Sequence, residues 1–223
     1  MTKALFFQAI GKYLLGVLLV GLLIFVPAGT LAYPQGWLLM AILFLPMFLA
    51  GLVMMAKNPA LLKSRLEAKE KQREQDRIVK LSGLMFLAGF IAAGLSFRFG
   101  WFLVPRTVSL GAAAVFLAAY LLYAEVLREN TYLSRTIQVQ ENQTVIDTGL
   151  YGVVRHPMYS ATLLLFLSMP LVLGSLLSFV IFLLYPVLIA NRLKHEEELL
   201  EQELAGYSDY KQAVKYRLIP FIW

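Results

Sequence analysis

Apolar residues occur in long runs along this chain of 223 residues, and shorter polar segments separate them. The first four runs cover residues 10–28, 37–56, 81–97 and 106–127. Each approaches or reaches the length of about 20 helical residues that crosses a hydrocarbon core roughly 30 Å thick. The pattern therefore predicts four membrane-spanning helices.

A fifth apolar stretch, residues 157–191, is far too long for a single crossing. Gly174-Ser175 interrupts it near the middle. We therefore predict two helices that fold back on each other as a hairpin, with both ends at the same membrane face. The expected fold is an all-α, polytopic membrane protein with about six membrane-inserted helices.

Composition and charge agree with this architecture, because 59% of the residues are hydrophobic and only 15% are charged. The net charge of +6 could suggest nucleic acid, but the Lys and Arg residues lie mainly between the apolar runs. That distribution is typical of a topology signal, so no nucleic-acid partner is predicted. Residues 57–80 hold eight Lys or Arg against four Asp or Glu, which predicts a surface-lying helical connector in the cytoplasm. Both termini and residues 128–156 then lie on the cytoplasmic side as well.

Several kinds of chemistry are excluded by residues that the chain lacks. It has no Cys, so it has no disulfide, no thiolate nucleophile and no Cys-ligated metal. Gly149-Leu-Tyr-Gly152 does not match the phosphate-loop pattern, and no Gly-x-Gly-x-x-Gly occurs anywhere. A cofactor bound in a Rossmann fold is therefore not predicted.

Polar residues with candidate chemistry stand at the two ends of the predicted hairpin. Arg155-His156-Pro157 comes just before it, and Arg192 and Glu196 follow it, one helical turn apart on one face. An ionisable pair at a membrane boundary indicates a functional site. An interfacial histidine and a solvated acidic helix start would explain the same residues.

Two tyrosines and a second histidine extend this candidate site. Tyr151 and Tyr159 flank the Arg-His-Pro turn, either as interfacial aromatics or as π faces for a cation or a purine. His195 and the three glutamates after it could suggest a metal site. Consecutive residues do not share one helical face, however, so no metal is predicted. The charged segment 193–204 is expected to form a separate helix.

A longer set of motifs carries a family resemblance. It comprises Gln143-Thr-Val-Ile-Asp-Thr-Gly-Leu-Tyr-Gly-Val-Val-Arg-His-Pro-Met-Tyr159, the apolar hairpin, Arg192-x-x-x-Glu196-Glu197 and the tail from Gly206-Tyr-x-x-Tyr210 to Ile219-Pro220. Together these motifs resemble the isoprenylcysteine carboxyl methyltransferase family, whose general plan the phospholipid N-methyltransferases share. The resemblance divides the chain into residues 1–127, with four spans and the basic connector, and residues 128–223. The second part is the methyltransferase-like catalytic region of cofactor segment, hairpin and C-terminal helices.

The resemblance implies an integral membrane methyltransferase of the carboxyl O-methyltransferase type, with S-adenosylmethionine as its cofactor. Its acceptor would be an isoprenylcysteine carboxylate or another small lipophile, met at the cytoplasmic face among membrane lipids. Arg192 matches the position assigned to the substrate carboxylate, and this sequence has Gln143 where the family often has His. The implied cofactor-binding residues are Gln143, Thr144, Val145, Ile146, Tyr151, His156, Pro157, Met158, Tyr159 and Glu196.

Two other functions compete with this interpretation. Arg-His-Pro-x-Tyr also occurs in membrane sterol and steroid reductases, which use NADPH, but the glutamate run after the hairpin resembles the methyltransferases. A transporter or scaffold would need no cofactor. The predicted spans lack the intramembrane charges of an ion pathway, apart from Glu125 and Arg128 near a helix end.

Overall fold

The fold was analysed in a computed structural model that describes residues 3–66, 73–133 and 139–223. Helices are the only regular structure in those three segments, apart from one isolated bridge between Leu103 and Ser175. The α-helices are α1 (Lys3–Ala28), α2 (Pro34–Lys57), α3 (Pro59–Leu66), α4 (Arg73–Phe99), α5 (Arg106–Glu129), α6 (Pro157–Val172), α7 (Leu176–Phe182), α8 (Leu184–Glu203) and α9 (Tyr207–Ala213). One turn of 3₁₀ helix covers Gly149–Gly152.

Five helical stretches of the described chain are long and apolar enough to cross a membrane. They are α1, α2, the Asp76–Phe99 part of α4, α5, and the Leu176–Glu203 stretch that joins α7 and α8. Large apolar side chains such as Phe7 and Leu121 are exposed on the outside of the bundle, as a lipid-facing surface requires. The prediction of an all-α polytopic membrane protein is confirmed.

Proline marks the start of several helices in this bundle. Pro34 and Pro157 are the first residues of α2 and α6, where a missing N–H leaves no hydrogen bond unmade. Pro59 starts α3, and the Asn58 side chain before it accepts a hydrogen bond from the Leu61 N–H at 3.0 Å. Several helix starts are therefore encoded locally.

The predicted hairpin is confirmed, with α6 as one arm and α7–α8 as the other. Gly174 makes the turn with a φ of +78°, a conformation that favours glycine. The Ser175 hydroxyl caps α7 by accepting a hydrogen bond from the Ser178 N–H at 3.1 Å. The Tyr33 hydroxyl from the start of α2 donates to the Leu173 carbonyl, so the turn is anchored to the first helices.

Glycines in α4 allow its neighbours to approach closely. A Cβ built on Gly89 would lie 2.2 Å from the Phe182 ring of α7. A Cβ on Gly94 would lie 2.5 Å from the Ile24 carbonyl oxygen of α1. Because lipid tails are as apolar as the helix surfaces, such close packing is a main force between membrane helices.

Two predictions about polar segments need correction. The helix expected over 193–204 is present, but it is not separate, since it is the last part of α8, which runs without a break from Leu184 to Glu203. Its charged residues favour helix as strongly as its apolar ones, so nothing ends the helix at the membrane boundary. The helical connector expected over 57–80 contains parts of two helices. Helix α3 ends at Leu66, and α4 begins at Arg73 and continues into the membrane span. Residues 67–72 lie outside the described chain.

Candidate functional site

The candidate site lies where the two arms of the hairpin begin and end. Residues 155–157 lead into α6, and the last three turns of α8 lie beside them because the hairpin returns to the same level. The end of α5, the segment 139–156 and α9 close the other sides. Sequence segments up to 80 residues apart thus meet around one cavity.

The cavity encloses about 840 Å³ of space, including its mouth to solvent. Arg192 and nine of the ten predicted cofactor-binding residues line it. The remaining lining residues are Asn130, Tyr132, Leu133, Leu199, Leu200, Leu204, Tyr207 and Tyr210.

Pro157 is the predicted cofactor residue that does not line the cavity. It is fully buried as the first residue of α6, where it starts the helix. His195 also lies elsewhere, on an exposed face of α8 with Nδ1 3.6 Å from Glu198. The structure therefore brings together His156, Arg192 and Glu196, but it places the second histidine outside the site.

Tyr159 connects the two charged residues of α8 that line the cavity. Its hydroxyl donates a hydrogen bond to Glu196 Oε2 at 2.5 Å and accepts one from Arg192 Nε at 3.0 Å. Arg192 and Glu196 are therefore linked through a neutral group. The bridge fixes both side chains in the cavity wall before any ligand enters.

His156 lies between two neighbouring glutamates. Its Nε2 is 3.2 Å from Glu197 Oε1, and its Nδ1 is 4.0 Å from Glu196 Oε1. The imidazole is buried, with 6% of its surface exposed. Glu197 thus holds the ring from one edge, and the other edge faces the Glu196 side of the cavity.

Glu197 belongs to the family motif, but the sequence analysis assigned it no role. It is 2% exposed and does not line the cavity. Its carboxylate contacts the side chains of Arg155, Arg217 and His156. Arg155 Nε donates to Oε1 at 2.7 Å, and Arg217 Nε donates to Oε2 at 3.0 Å. A signal for its burial did exist, since Ile189 and Leu193 precede it at intervals of four residues on the buried stripe of α8.

The C-terminal segment covers this cluster through main-chain hydrogen bonds. The Arg155 N–H donates to the Tyr216 carbonyl and the His156 N–H to the Arg217 carbonyl, both at 2.9 Å. Arg155 Nη1 also donates to the Val214 carbonyl at 2.7 Å. The Arg-His-Pro turn is therefore clamped between the tail and Glu197.

Hydrogen bonds with Glu129 and Asn130 hold the segment before the Arg-His-Pro turn. The Glu129 carboxylate at the end of α5 accepts hydrogen bonds from the Leu150 N–H at 3.1 Å and the Thr148 hydroxyl at 3.2 Å. Gly149 lies against this carboxylate with a φ of +52°. Tyr151 follows, and its hydroxyl accepts a hydrogen bond from the Asn130 side chain at 3.0 Å. These bonds fix the Tyr151 ring in the cavity wall.

Two tyrosines of α9, Tyr207 and Tyr210, complete the cavity. The Tyr210 hydroxyl donates to the Tyr151 carbonyl at 2.8 Å. Burial raises the pKa of both phenols, and the carboxylates of Glu197 and Glu196 raise the pKa of Tyr207 further. Both side chains therefore stay neutral. The sequence analysis quoted them in a motif but assigned them no role in the site.

Comparison with known proteins identifies a family and one more distant likeness. The model of the isoprenylcysteine carboxyl methyltransferase (ICMT) family matches residues 110–202, which confirms the family resemblance predicted from the sequence. A delta(14)-sterol reductase from Mus musculus is 30% identical over 91 residues, which is 40% of this chain. The match spans 22% of the length of the reductase.

Proposed function

We propose that the chain, whose residues 110–202 match the model of the ICMT family, is a membrane methyltransferase that uses S-adenosylmethionine. Residues 128–223 form its catalytic region, and residues 1–127 hold that region in the membrane. The acceptor is a lipophilic molecule that carries an isoprenylcysteine-like carboxylate or another small nucleophile. The site faces the cytoplasm, where the cofactor is dissolved.

The cavity between the hairpin, the 139–156 segment and α9 is the observation that carries the proposal. It combines an acidic group, Glu196, with aliphatic side chains of Leu199, Leu200 and Leu204 and with the Tyr151 ring. A ligand with an ammonium group and a purine ring needs such a combination of groups. The residues present therefore fit S-adenosylmethionine.

Glu196 and Tyr151 would hold opposite parts of the cofactor. Glu196, whose position is fixed by Tyr159, would accept a charge-assisted hydrogen bond from the ammonium group of the cofactor. Tyr151 offers a ring face for the adenine or the sulfonium, and Asn130 holds that ring in place. Gln143, Thr144, Val145 and Ile146 supply the wall on the other side.

Arg192 would position the acceptor. It is 9% exposed, and its Nε bond to Tyr159 sets the direction of the guanidinium plane at the cavity wall. A planar guanidinium binds a carboxylate with two parallel hydrogen bonds, which Lys cannot do. The lipophilic part of the acceptor then lies among apolar helices on the membrane side.

The bound cofactor supplies an activated methyl group, so the protein has to position the reactants and needs no strong acid or base. The residues at the site would hold an acceptor atom close to that methyl group, and direct transfer requires a separation of roughly 3–3.5 Å. Leu199 and Leu200 of α8 line the cavity and would limit the access of water to the bound reactants.

A radiolabelled methyl-transfer assay tests the proposal. Detergent-purified protein is incubated with tritiated S-adenosylmethionine and total membrane lipids, isoprenylcysteine carboxylates or small thiols. We expect label in one of these fractions, and Glu196→Ala should abolish both transfer and S-adenosylhomocysteine binding. The matched control is Glu198→Ala on the same helix, because the Glu198 side chain is 67% exposed and lies outside the cavity. Unchanged binding in Glu196→Ala would overturn the site assignment.

Reduction of a sterol-like or steroid-like substrate with NADPH is a second candidate function. The 30% identity to a sterol reductase over 91 residues supports it. A thermal-shift comparison separates the two, since each cofactor raises the melting temperature only of a protein that binds it. Stabilisation by NADPH and none by S-adenosylmethionine would favour the reductase.

A further inference from the structure

Tyr207 is a buried residue of the cavity wall that has no assigned function. It is the first residue of α9, and Gly206 before it has a φ of +82°. The side chain is 4% exposed and packs with Leu204, Tyr210 and Val214. It lines the same cavity as Glu196.

The Tyr207 hydroxyl is buried and has no hydrogen-bond partner among the described residues. Other tyrosines of the cavity do have partners, since Tyr159 bonds Glu196, Tyr151 bonds Asn130 and Tyr210 bonds the Tyr151 carbonyl. A buried hydroxyl without a partner is destabilising, and native structures contain few of them. Tyr207 lines the cavity, so a ligand bound there is a candidate partner for this hydroxyl.

The chemistry of the Tyr207 hydroxyl restricts which ligand atom can be its partner. Burial and the nearby carboxylates keep the Tyr207 phenol neutral because they raise its pKa, so it can donate a hydrogen bond. Glu196 and Glu197 are close enough for their charges to act on the phenol. Tyr207 and Glu196 also line the same cavity, so one end of a ligand can contact both residues.

S-adenosylmethionine has one end that satisfies both residues, its amino acid group. The ammonium requires an acceptor, which Glu196 provides, and the carboxylate on the same carbon requires a donor. We propose that the Tyr207 hydroxyl donates a hydrogen bond to this carboxylate and thereby selects ligands with an intact amino acid group. This inference rests on the proposed function.

Ligand binding by Tyr207→Phe tests the inference. The substitution removes only the hydroxyl, and two ligands are titrated calorimetrically against the wild-type and variant proteins. S-adenosylhomocysteine has the amino acid group, whereas methylthioadenosine shares the adenosine and the thioether but lacks that group. We expect S-adenosylhomocysteine to bind about ten-fold more weakly to the variant, as loss of a hydrogen bond to a charged group predicts. Methylthioadenosine should bind equally to both proteins.

Tyr210→Phe is the matched control, because it removes a hydroxyl from the same helix, three residues away. That hydroxyl already bonds the Tyr151 carbonyl, so its loss should lower the melting temperature and change the affinity for both ligands alike. Tyr207→Phe should not lower the melting temperature, since no protein bond is lost.

Three results would overturn the inference. Equal binding of S-adenosylhomocysteine to wild type and Tyr207→Phe would mean that a water molecule satisfies the hydroxyl. An equal loss of affinity for both ligands would place Tyr207 at the adenosine end of the ligand or give it a packing role. A lower melting temperature of Tyr207→Phe would reveal a hydrogen-bond partner within the protein. Failure of the wild type itself to bind S-adenosylhomocysteine is a separate result, which overturns the proposed function as well.

Discussion

Arg155 and Glu197 form a buried ion pair behind the cavity, with 2.7 Å between Nε and Oε1 and about 5% or less of either side chain exposed. The pair joins the start of α6 to the last part of α8, so it fixes the separation of the two hairpin arms at the site. His156 shares the same carboxylate. The residues that line the cavity therefore depend on an ion pair that does not itself line it.

Removal of the Glu197 carboxylate should destabilise the whole protein. Glu197→Ala leaves Arg155 buried without its counter-charge, and breaking a buried pair in this way costs about 3–5 kcal/mol of the free energy of unfolding. Thermal unfolding in detergent measures the effect. Glu198→Ala serves as the control, because the side chain is 67% exposed and should change the melting temperature little. Equal melting temperatures for the two variants would contradict the importance of the cluster.

Tyr159→Phe should impair function more than stability. It removes the hydroxyl that bridges Arg192 and Glu196, so both side chains lose their fixed position in the cavity wall. We expect the rate of methyl transfer to fall about ten-fold to a hundred-fold, because a small misplacement of the reacting groups slows an enzyme by such factors. The comparison is Tyr120→Phe, whose hydroxyl bonds the Leu43 carbonyl at 2.8 Å away from the site. A larger loss of transfer in Tyr120→Phe would refute the role of the bridge.

Gly149→Ala should distort the segment before the Arg-His-Pro turn. The φ of +52° is strained for alanine, and the added Cβ would lie 2.0 Å from Glu129 Oε1. We expect the free energy of unfolding to fall by about 1–3 kcal/mol and ligand affinity to fall with it, because Glu129 must move from Leu150. Differential scanning fluorimetry with and without S-adenosylhomocysteine measures both. Gly51→Ala, with open space around its Cβ in α2, should cause neither loss.

Two glycines of α4 provide a test of the packing within the membrane. Gly89→Ala places a methyl group 2.2 Å from the Phe182 ring and should lower the free energy of unfolding by about 1–3 kcal/mol. Gly83→Ala, six residues earlier on the same helix, meets nothing within 4 Å and should be neutral or stabilising. Chemical unfolding in mixed micelles compares the two. Adding Phe182→Leu to Gly89→Ala should restore part of the loss, and no recovery would argue against this contact.

Membrane orientation can be tested with single cysteines, because the chain contains none. Ser208→Cys and Thr30→Cys introduce exposed thiols at opposite ends of the bundle. With the site in the cytoplasm, a membrane-impermeant maleimide should label Thr30→Cys in intact cells and Ser208→Cys only after permeabilisation. The reverse pattern would place the site on the other side of the membrane.

Local sequence signals were sufficient for most of the fold. Apolar length predicted the spans and the hairpin, and Gly174 marked its turn, because these features depend on a chain segment and its solvent. The end of α8 was predicted wrongly as a separate helix. Polarity changes at Arg192, but helix formation depends on backbone hydrogen bonds that continue through charged residues.

The sequence by itself determined that the chain is a helical membrane protein and that Arg155-His156 and Arg192-Glu196 stand at the two ends of one hairpin. Only the tertiary structure decided what each glutamate does. Glu196 and Glu197 are neighbours in sequence, but about 100° of helical rotation separates them. Glu196 therefore faces the cavity, whereas Glu197 faces Arg155 and the C-terminal segment. That difference depends on the packing of α8 against distant parts of the chain, which no local pattern specifies.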